Sequence, residues 1–339
     1  MKKETLLTRL FLYPLSLMLV LFSLFAQPAL AAEETKVKFG YFTGITNAPF
    51  FVADAQGIFK KNGLDVELVA FGSGPAMVAS LLSGSTPFVD GGGPLVTFPQ
   101  VVKGHKIKGL INVWADNYFS IIVRSSVPTP SADKPYPQPM ADLRGKRVGV
   151  IALGSHIAAV VERMLRDAGL KPGENVTLIG VGGAATGMAA LIGGTIDAYI
   201  ALPPATQTLD ALHPGSYKTL VAADDFPAHL KWLFTTHVAS TQEYMERNPA
   251  VVRAMCRSVQ ESMEWMSRPE NFDASVAAIE KRLKGNAPGV IAAALKEMLR
   301  HLSAHGRFTP DHLKAANELL MEKGIISKPV TPASYGEKC

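Results

Sequence analysis

Residues 71–95, FGSGPAMVASLLSGSTPFVDGGGPL, contain two glycine turns, and each turn leads into the start of a helix. The first turn (residues 72–74) is followed by Pro75, and the second (residues 91–93) by Pro94. Proline suits the first turn of a helix because the N–H it lacks would have no partner there. Backbone N–H groups at a helix N-terminus can point at a ligand, particularly an anion. The stretch therefore predicts two strand–turn–helix units whose turns can form part of a binding site.

A related pattern recurs about a hundred residues later. In the first copy a helix ends at Gly63, and a strand, a glycine turn, a helix, Gly84 and a second strand follow. In the second copy a helix ends at Gly169, and the same order leads through Gly194 to a strand. Strands that alternate with helices at this spacing predict parallel sheets flanked by helices. We therefore expect two similar α/β lobes, followed beyond residue 240 by a helical tail.

The N-terminus has the features of an export signal. It combines basic residues, an apolar run at residues 10–25 and an Ala29-Leu30-Ala31 cleavage site. An uncleaved membrane anchor is the alternative. Removal of residues 1–31 takes away three basic residues and one acidic residue and changes the net charge from +5 to +3. A charge this small gives no argument for nucleic-acid binding, and no later apolar run reaches membrane-spanning length.

The chain has two cysteines, Cys256 and Cys339, so a disulfide framework cannot be the basis of the fold. Cys256 falls on the apolar stripe of a helix, and we expect a buried thiol there, with a bond to Cys339 as the less favoured alternative. His301 and His305 stand four residues apart, but no H-E-x-x-H pattern completes a metal site. The sequence thus predicts no metal, no cofactor and no catalytic residue.

Several short segments occur in order along nearly all of the chain beyond residue 31. They are APFFVA at 48–53, GIF at 57–59, GLDV at 63–66, DLRGKRVGV at 142–150, LIGGTIDA at 191–198 and NP at 248–249. In this order they resemble periplasmic solute-binding proteins of ABC importers. The resemblance is to the group that takes up nitrate, sulfonates, taurine and hydroxymethylpyrimidine.

The resemblance implies a type II, two-lobe periplasmic binding protein of the α/β class. Each lobe would be a mainly parallel sheet flanked by helices, and the helical tail would pack on lobe one. Lobe one would comprise residues 32–121 and 223–339, and lobe two residues 122–222, with hinges near 120–123 and 221–223. The resemblance also implies a periplasmic, monomeric protein that is not an enzyme and delivers a small ligand to an ABC permease in the inner membrane.

One segment departs from the family pattern. The family has Gly-x-x-Asp after the second helix of each copy, and this chain keeps it at residues 194–197 but has Gly-Ser-Thr-Pro at residues 84–87. Asp90 stands three residues further on, at the end of the same predicted strand. The departure therefore lies where a ligand would bind.

Ligands of open α/β sheets lie beyond the carboxyl ends of the strands. The ligand-binding candidates at these positions and near the first hinge are Thr43, Asn47, Ser73, Gly74, Asp90, Gly91, Gly92, Trp114, Asn117, Ser155, His156, Ala184 and Thr186. Helix capping is the alternative role for Ser73 and Ser155, and a turn bond to its own backbone for Asp90. His156 can equally be a solvated first-turn residue, and Trp114 can pack in the core.

Two classes of ligand remain open. The loops at the strand ends contain no Lys or Arg, so helix N-termini and Ser, Thr and Asn groups would hold a small anion. We favour a sulfonate, taurine or nitrate-like anion or zwitterion. The alternative is a pyrimidine or other aromatic precursor, with Asp90 and Trp114 in the cleft. A remote alternative is an enzyme related to eukaryotic pyrimidine synthases, which the export signal and the low cysteine count oppose.

Overall fold

The computed structural model of the chain describes residues 34–336 and residue 339. The predicted export signal at residues 1–31 lies outside the described residues. The strands are β1 Thr35–Phe42, β2 Leu64–Phe71, β3 Phe88–Asp90, β4 Ile107–Asn112, β5 Ser120–Arg124, β6 Arg147–Val150, β7 Thr177–Gly180, β8 Ala198–Ala201, β9 Tyr217–Val221 and β10 His237–Thr241.

The first eight α-helices are α1 Ala48–Ala55, α2 Ile58–Lys61, α3 Gly74–Leu82, α4 Pro94–Val102, α5 His156–Asp167, α6 Ala184–Ile192, α7 Ala205–Leu212 and α8 Ala228–Lys231. The tail adds α9 Gln242–Arg247, α10 Pro249–Met266, α11 Phe272–Arg282, α12 Val290–Met298 and α13 Pro310–Glu322. In the part of the chain that the structure describes, no helix combines the length and apolar character needed to cross a membrane.

The strands form two five-stranded sheets with the same topology. The order is β2-β1-β3-β10-β4 in one sheet and β7-β6-β8-β5-β9 in the other. In each sheet one strand, β10 or β5, runs against the other four. The structural duplication and the mainly parallel sheets expected from the glycine pattern are therefore confirmed.

We call the sheet of β1 with its helices the first lobe, and the sheet of β6 with its helices the second lobe. The chain passes from the first to the second at residues 113–119 and returns at residues 222–236. Residues 120–123 pair within the second sheet as part of β5, and the hinges expected near residues 120–123 and 221–223 remain a prediction. The two crossing segments meet where the hydroxyls of Tyr118 and Thr235 lie 2.5 Å apart.

The helical tail packs on both lobes, not on the first alone as expected. Helices α10 and α11 pack on α1 of the first lobe, whereas α12 contacts α7 and α13 contacts α5 of the second lobe. Glu322, at the end of α13, accepts hydrogen bonds from Arg163 (2.5 Å) and Arg166 (3.0 Å) of α5. The reason for the difference is that α12 and α13 present polar side chains to partners that no local sequence pattern reveals.

Two predicted elements differ from the structure. The pattern of residues 49–62 predicts one helix, but the structure divides it into α1 and α2, because Gly57 adopts a left-handed conformation (φ 67°) between them. The apolar run at residues 232–239 predicts a strand, but the strand there is β10, which begins only at His237. Leu233 and Phe234 are buried in the core, so their apolar character reflects packing and not strand pairing.

The Asp of the Gly-x-x-Asp segment in the second copy links three strands of the second sheet. Asp197 accepts hydrogen bonds from the guanidinium groups of Arg147 (2.9 and 3.0 Å) and Arg124 (3.0 Å). The pKa of Asp197 is lowered to about 2, and the hydrogen bonds from Arg147 are the largest cause. In the first lobe Pro87 cannot do this, and its carbonyl instead accepts a hydrogen bond from the Ser240 hydroxyl (2.7 Å). The departure thus changes the anchoring of β3 but not the order of the sheet.

Cys256 and Cys339 form a disulfide. The expectation of a free thiol at Cys256 is therefore wrong. The two residues are 83 positions apart, and packing of the chain's end against α10 brings their Cα atoms to 5.6 Å. No short-range spacing signals such a contact.

We expect Asp197→Asn to remove part of the pH dependence of stability. The pKa of Asp197 is about 2 when folded, against an ordinary value of 3.8, so its contribution is present above pH 4 and is lost as the pH falls from about 4 to about 2. Thermal unfolding between pH 2 and pH 7 should therefore show a smaller loss in the variant than in the wild type. Identical profiles for the two proteins would contradict this role for Asp197.

Candidate functional site

A cleft of about 900 Å³ lies between the two lobes. The first lobe contributes Thr43 and Asp90, the second lobe contributes His156 and Tyr199, and the crossing segments contribute Tyr118, Thr235 and Thr236. A second cavity of about 840 Å³ lies among the tail helices, and none of the predicted site residues lines it. The interlobe cleft is therefore the candidate site.

Asp90 ends β3 and is 2% exposed. Its Oδ1 accepts main-chain N–H bonds from Gly92 (3.1 Å) and His237 (3.4 Å). Burial raises the pKa of Asp90 to about 6, against the opposing effect of the donors at Gly92, Asn47 and His237. Asn47 lies behind it and donates its amide to the Phe42 carbonyl (2.7 Å). The carboxyl group thus faces the cleft with fewer partners than a buried carboxylate requires.

Gly91 allows the side chain of His237 to lie directly against the end of β3. A Cβ at Gly91 would come within 1.9 Å of His237 Nε2, so any larger residue would displace the ring. The ring Nδ1 bonds the Thr235 carbonyl (2.9 Å), which makes Nδ1 the donor, and Nε2 bonds the Tyr335 hydroxyl (2.5 Å). Gly91 therefore supports Asp90 from behind and does not line the cleft.

His156 begins α5 and reaches across to the first lobe. It is 6% exposed, and a Cβ at Gly93 would lie only 3.6 Å from its ring. Neither ring nitrogen has a hydrogen-bond partner among the described residues. Burial, together with the nearby His237, lowers the pKa of His156 to about 4, so the ring is neutral at pH 7. It can offer one donor and one acceptor to a molecule in the cleft.

Two tyrosines add hydroxyl groups. Tyr199 is fully buried, its hydroxyl has no partner among the described residues, and burial raises its pKa to about 12. The Tyr118 hydroxyl is paired with Thr235, and burial also raises its pKa. Apolar side chains complete the walls, including the half-buried residues Phe42, Ile151, Met188 and Leu202.

Positive charge in the cleft lies at its edge. The lysine and arginine among the described lining residues are Arg282 and Lys284, both exposed, and Arg282 pairs with Asp54 (2.5 Å). No cluster of three or more His, Cys, Asp or Glu side chains in the described residues could hold a metal ion. The inner cleft thus combines neutral polar groups, one carboxyl group and apolar walls.

The structure brings five of the thirteen candidates together. The residues that line the cleft are Thr43, Asp90, Gly92, His156 and Ala184. They come from the turns after β1 and β3 and from the starts of α5 and α6. A ligand-binding role for them remains a prediction.

Three candidates bond within their own helices, and a fourth packs on a neighbouring helix. Ser73 and Ser155 cap α3 and α5, each accepting an N–H bond from the third helical residue (3.4 and 3.1 Å). The Thr186 hydroxyl donates to a carbonyl three residues earlier (3.0 Å). Gly74 packs closely on Val96, because a Cβ there would lie 3.1 Å from that side chain. These residues thus make capping and packing contacts, and a ligand-binding role for them remains a prediction.

The remaining candidates lie in the core. Trp114 is fully buried and donates its indole N–H to the Thr46 carbonyl (2.9 Å). The Asn117 side chain bonds both the N–H and the carbonyl of Phe119 (3.3 Å each). Neither lines the cleft, and the same holds for Asn47 and Gly91, described above.

Sequence reasoning missed Tyr199, Thr235 and Thr236. Thr235 and Thr236 precede β10, and because β10 is antiparallel to β3 its start lies beside Asp90. The order of the predicted elements could have indicated these two residues. The chain returns from the second lobe to the first at this point, and such a strand can enter its sheet from the cleft side. Tyr199 gave no signal, because which side of β8 faces the cleft depends on packing.

Comparison with known proteins adds to this geometry. Residues 30–280, more than half of the chain, match the NMT1-like family. The chain belongs to the NMT1-like family. This NMT1-like chain is 25% identical over 319 residues to a protein of Brucella abortus (strain 2308) that is named only as a binding protein. The match covers 90% of this chain and 91% of the relative.

Solved structures share the fold of this NMT1-like protein. The alkanesulfonate-binding protein SsuA of Xanthomonas axonopodis pv. citri, bound to MOPS, has a TM-score of 0.69 at 18% identity, with 91% of this chain and 100% of that chain covered. The periplasmic aliphatic sulphonate binding protein SsuA of Escherichia coli has a TM-score of 0.67 at 20% identity, with coverage of 87% and 95%. The two-lobe periplasmic binding protein fold is therefore confirmed.

We expect Asp90→Asn to stabilise the free protein at neutral pH. The folded protein keeps the Asp90 proton up to about pH 6, whereas the ordinary pKa is 3.8, so wild-type stability falls as the pH rises from about 4 to about 6. Two pKa units correspond to about 3 kcal/mol. The amide of Asn can still accept the N–H bonds of Gly92 and His237.

The measurement is thermal or urea unfolding at pH 3.5 and pH 7.5, with the exposed Asp225→Asn as the control. Asp90→Asn should match the wild type at the lower pH and exceed it by up to about 3 kcal/mol at the higher pH. An equal or lower stability at pH 7.5 would show that the carboxylate is not desolvated in the free protein.

Proposed function

We propose that this protein captures a small solute outside the cytoplasm and presents it to an ABC importer. The fold, the family and the naming of its relatives as binding proteins support this function. The predicted export signal supports a periplasmic location. In this proposal the partners are the ligand and an inner-membrane permease, and the protein acts as a monomer.

Closure of the cleft would bury the solute. The two crossing segments, residues 113–119 and 222–236, are the connections on which the lobes can turn, and they meet at Tyr118 and Thr235. Hinge closure about a pair of crossing segments is a common means of enclosing a ligand. The closed form would then be the one that the permease recognises.

Asp90 is the observation that supports one class of ligand over the other. A buried carboxylate repels a bare anion and attracts an N–H or O–H donor. Nitrate and simple alkanesulfonates offer no donor, whereas an amine or a ring N–H does. We therefore infer a ligand with a donor group, and the apolar walls favour an aromatic precursor of the pyrimidine type over an amino-sulfonate such as taurine.

His156 and Tyr199 would complete the recognition. Both present unpartnered polar atoms to the cleft from the second lobe. These atoms are already buried without a partner, so a ligand that bonds them would supply hydrogen bonds that the free protein lacks. Contacts to Asp90 in the first lobe and to His156 in the second would join the lobes through the ligand.

Binding, and not catalysis, is the role that the residues support. The relatives described above are named for binding. An enzyme of the pyrimidine-synthase type would need a cysteine-rich motif, whereas the two cysteines of this chain form a disulfide. Turnover of a bound ligand would contradict this part of the proposal.

A thermal-shift panel tests the ligand class. The compounds are hydroxymethylpyrimidine, taurine, butanesulfonate and nitrate, measured with wild type, Asp90→Asn and the control Asp225→Asn. A ligand that binds only the folded state raises its melting temperature. We expect the pyrimidine to give the largest shift, and Asp90→Asn to weaken its binding by roughly tenfold or more, as for a charge-assisted hydrogen bond.

The pH dependence provides a second readout. Protonation of Asp90 removes the acceptor charge, so affinity for the donor-bearing ligand should fall as the pH drops through about 6 in the wild type and not in Asp90→Asn. Shifts produced by nitrate and butanesulfonate alone, with equal size in both proteins, would overturn the donor proposal.

A further inference from the structure

The end of the chain lies behind the cleft. Residues 330–336, which we call the strap, run along the edge of the first sheet. Gly109 of β4 donates its N–H to the Tyr335 carbonyl (2.9 Å), and the Lys108 ammonium donates to the Ala333 carbonyl (2.8 Å). Asn317 of α13 bonds both the N–H and the carbonyl of Val330 (2.8 Å each). The strap is therefore held in one place along its length.

Tyr335 carries the strap into the core. It is fully buried, and its ring packs on Phe98 and Phe308 at centroid distances of 5.0 and 5.7 Å. A Cβ at Gly109 would lie 2.5 Å from this ring, so glycine at that position makes room for it. Such close fitting fixes the position of the hydroxyl group.

The Tyr335 hydroxyl joins the two elements that enclose Asp90. It bonds Nε2 of His237 on β10 (2.5 Å) and Oγ1 of Thr97 on α4 (2.9 Å). His237 gives a main-chain N–H to Asp90 and accepts one from Gly91 (2.8 Å). The residues that hold the Asp90 turn are thus themselves held by one hydroxyl group.

The Cys256–Cys339 disulfide fixes the strap to α10, because Cys339 lies three residues beyond its end. We propose that the strap is a positioning element of the ligand cleft, that Tyr335 is a positioning residue for Asp90, and that the disulfide makes this arrangement depend on redox state. Reduction by a dithiol would break the S–S bond and give two thiols while the dithiol becomes a cyclic disulfide. The proposal rests on the cleft being the ligand site.

The pKa of the Asp90 carboxyl reports on this arrangement without any ligand. Titratable groups near it are Tyr118 before β5, His156 on α5, His237 on β10 and Tyr335 on the strap. Burial is the largest cause of the raised pKa. A loosened strap would let water reach the turn, and the pKa would fall towards 3.8.

The experiment is an NMR titration of ¹³C-labelled aspartate carboxyl groups in the full chain, with the Asp90 signal assigned by its loss in Asp90→Asn. The variants are Tyr335→Phe, Cys339→Ser and the control Ser334→Ala, whose hydroxyl bonds only within the strap. We expect an Asp90 pKa about one unit lower in the first two than in the wild type, and no change in the control. An unchanged value in Tyr335→Phe overturns the positioning role, and an unchanged value in Cys339→Ser overturns the tether.

If a variant does not fold, the folded wild type reduced with dithiothreitol takes its place. A lowered Asp90 pKa after two thiols have formed supports the proposal, and an unchanged pKa overturns it. Affinity for hydroxymethylpyrimidine should fall roughly tenfold in Tyr335→Phe, the effect of about one buried hydrogen bond. If no compound of the panel binds the wild type, the proposed function fails, while the ligand-free titration still decides the role of the strap.

Discussion

Burial of the Asp90 carboxylate without a salt bridge to any described residue is the constraint around which the cleft is arranged. Transfer of a carboxylate out of water is unfavourable unless donors replace the lost hydration. The chain supplies two main-chain N–H groups and the nearby Asn47 amide, and leaves the remainder of the carboxyl group to the cleft. A donor group on the ligand would add the missing hydrogen bond to Asp90. Asp90 would then stabilise the complex although it destabilises the free protein.

The residues that hold this carboxylate include two aromatic rings that lie very close to the backbone of a strand. Gly91 lets the His237 ring lie against the end of β3, and Gly109 lets the Tyr335 ring lie against β4. Interiors are packed to a density at which a single added methyl group displaces its neighbours. The two glycines thus allow His237 and Tyr335 to fix the position of the Asp90 carboxyl group. The disulfide attaches the segment that carries Tyr335 covalently to α10.

Local signals in the sequence sufficed for most of the fold. The glycine turns and the change between strand and helix periods predicted both sheets, because each element is encoded within a few residues. Contacts between distant residues were not predictable in this way. Examples are the pairing of Cys256 with Cys339 and the contact of α13 with α5, which depend on how finished elements pack.

The site was predictable only in part, for the same reason. Turns that follow parallel strands must share one edge, so Thr43, Asp90 and His156 could be placed there from the sequence. Which turn residues face the cleft depends on whether a helix uses their side chains as caps, as it does with Ser73 and Ser155. Aromatic composition near a crossing did not distinguish Trp114, which packs in the core, from Tyr118, which lines the cleft.

A crystal structure of the protein with hydroxymethylpyrimidine tests the central claim most directly. The account predicts closed lobes, with the hydroxymethyl oxygen of the ligand at about 3 Å from a carboxyl oxygen of Asp90 and a polar atom of the ligand bonded to His156. A ligand that binds elsewhere, or one that lies in the cleft without a hydrogen bond to Asp90, would contradict it.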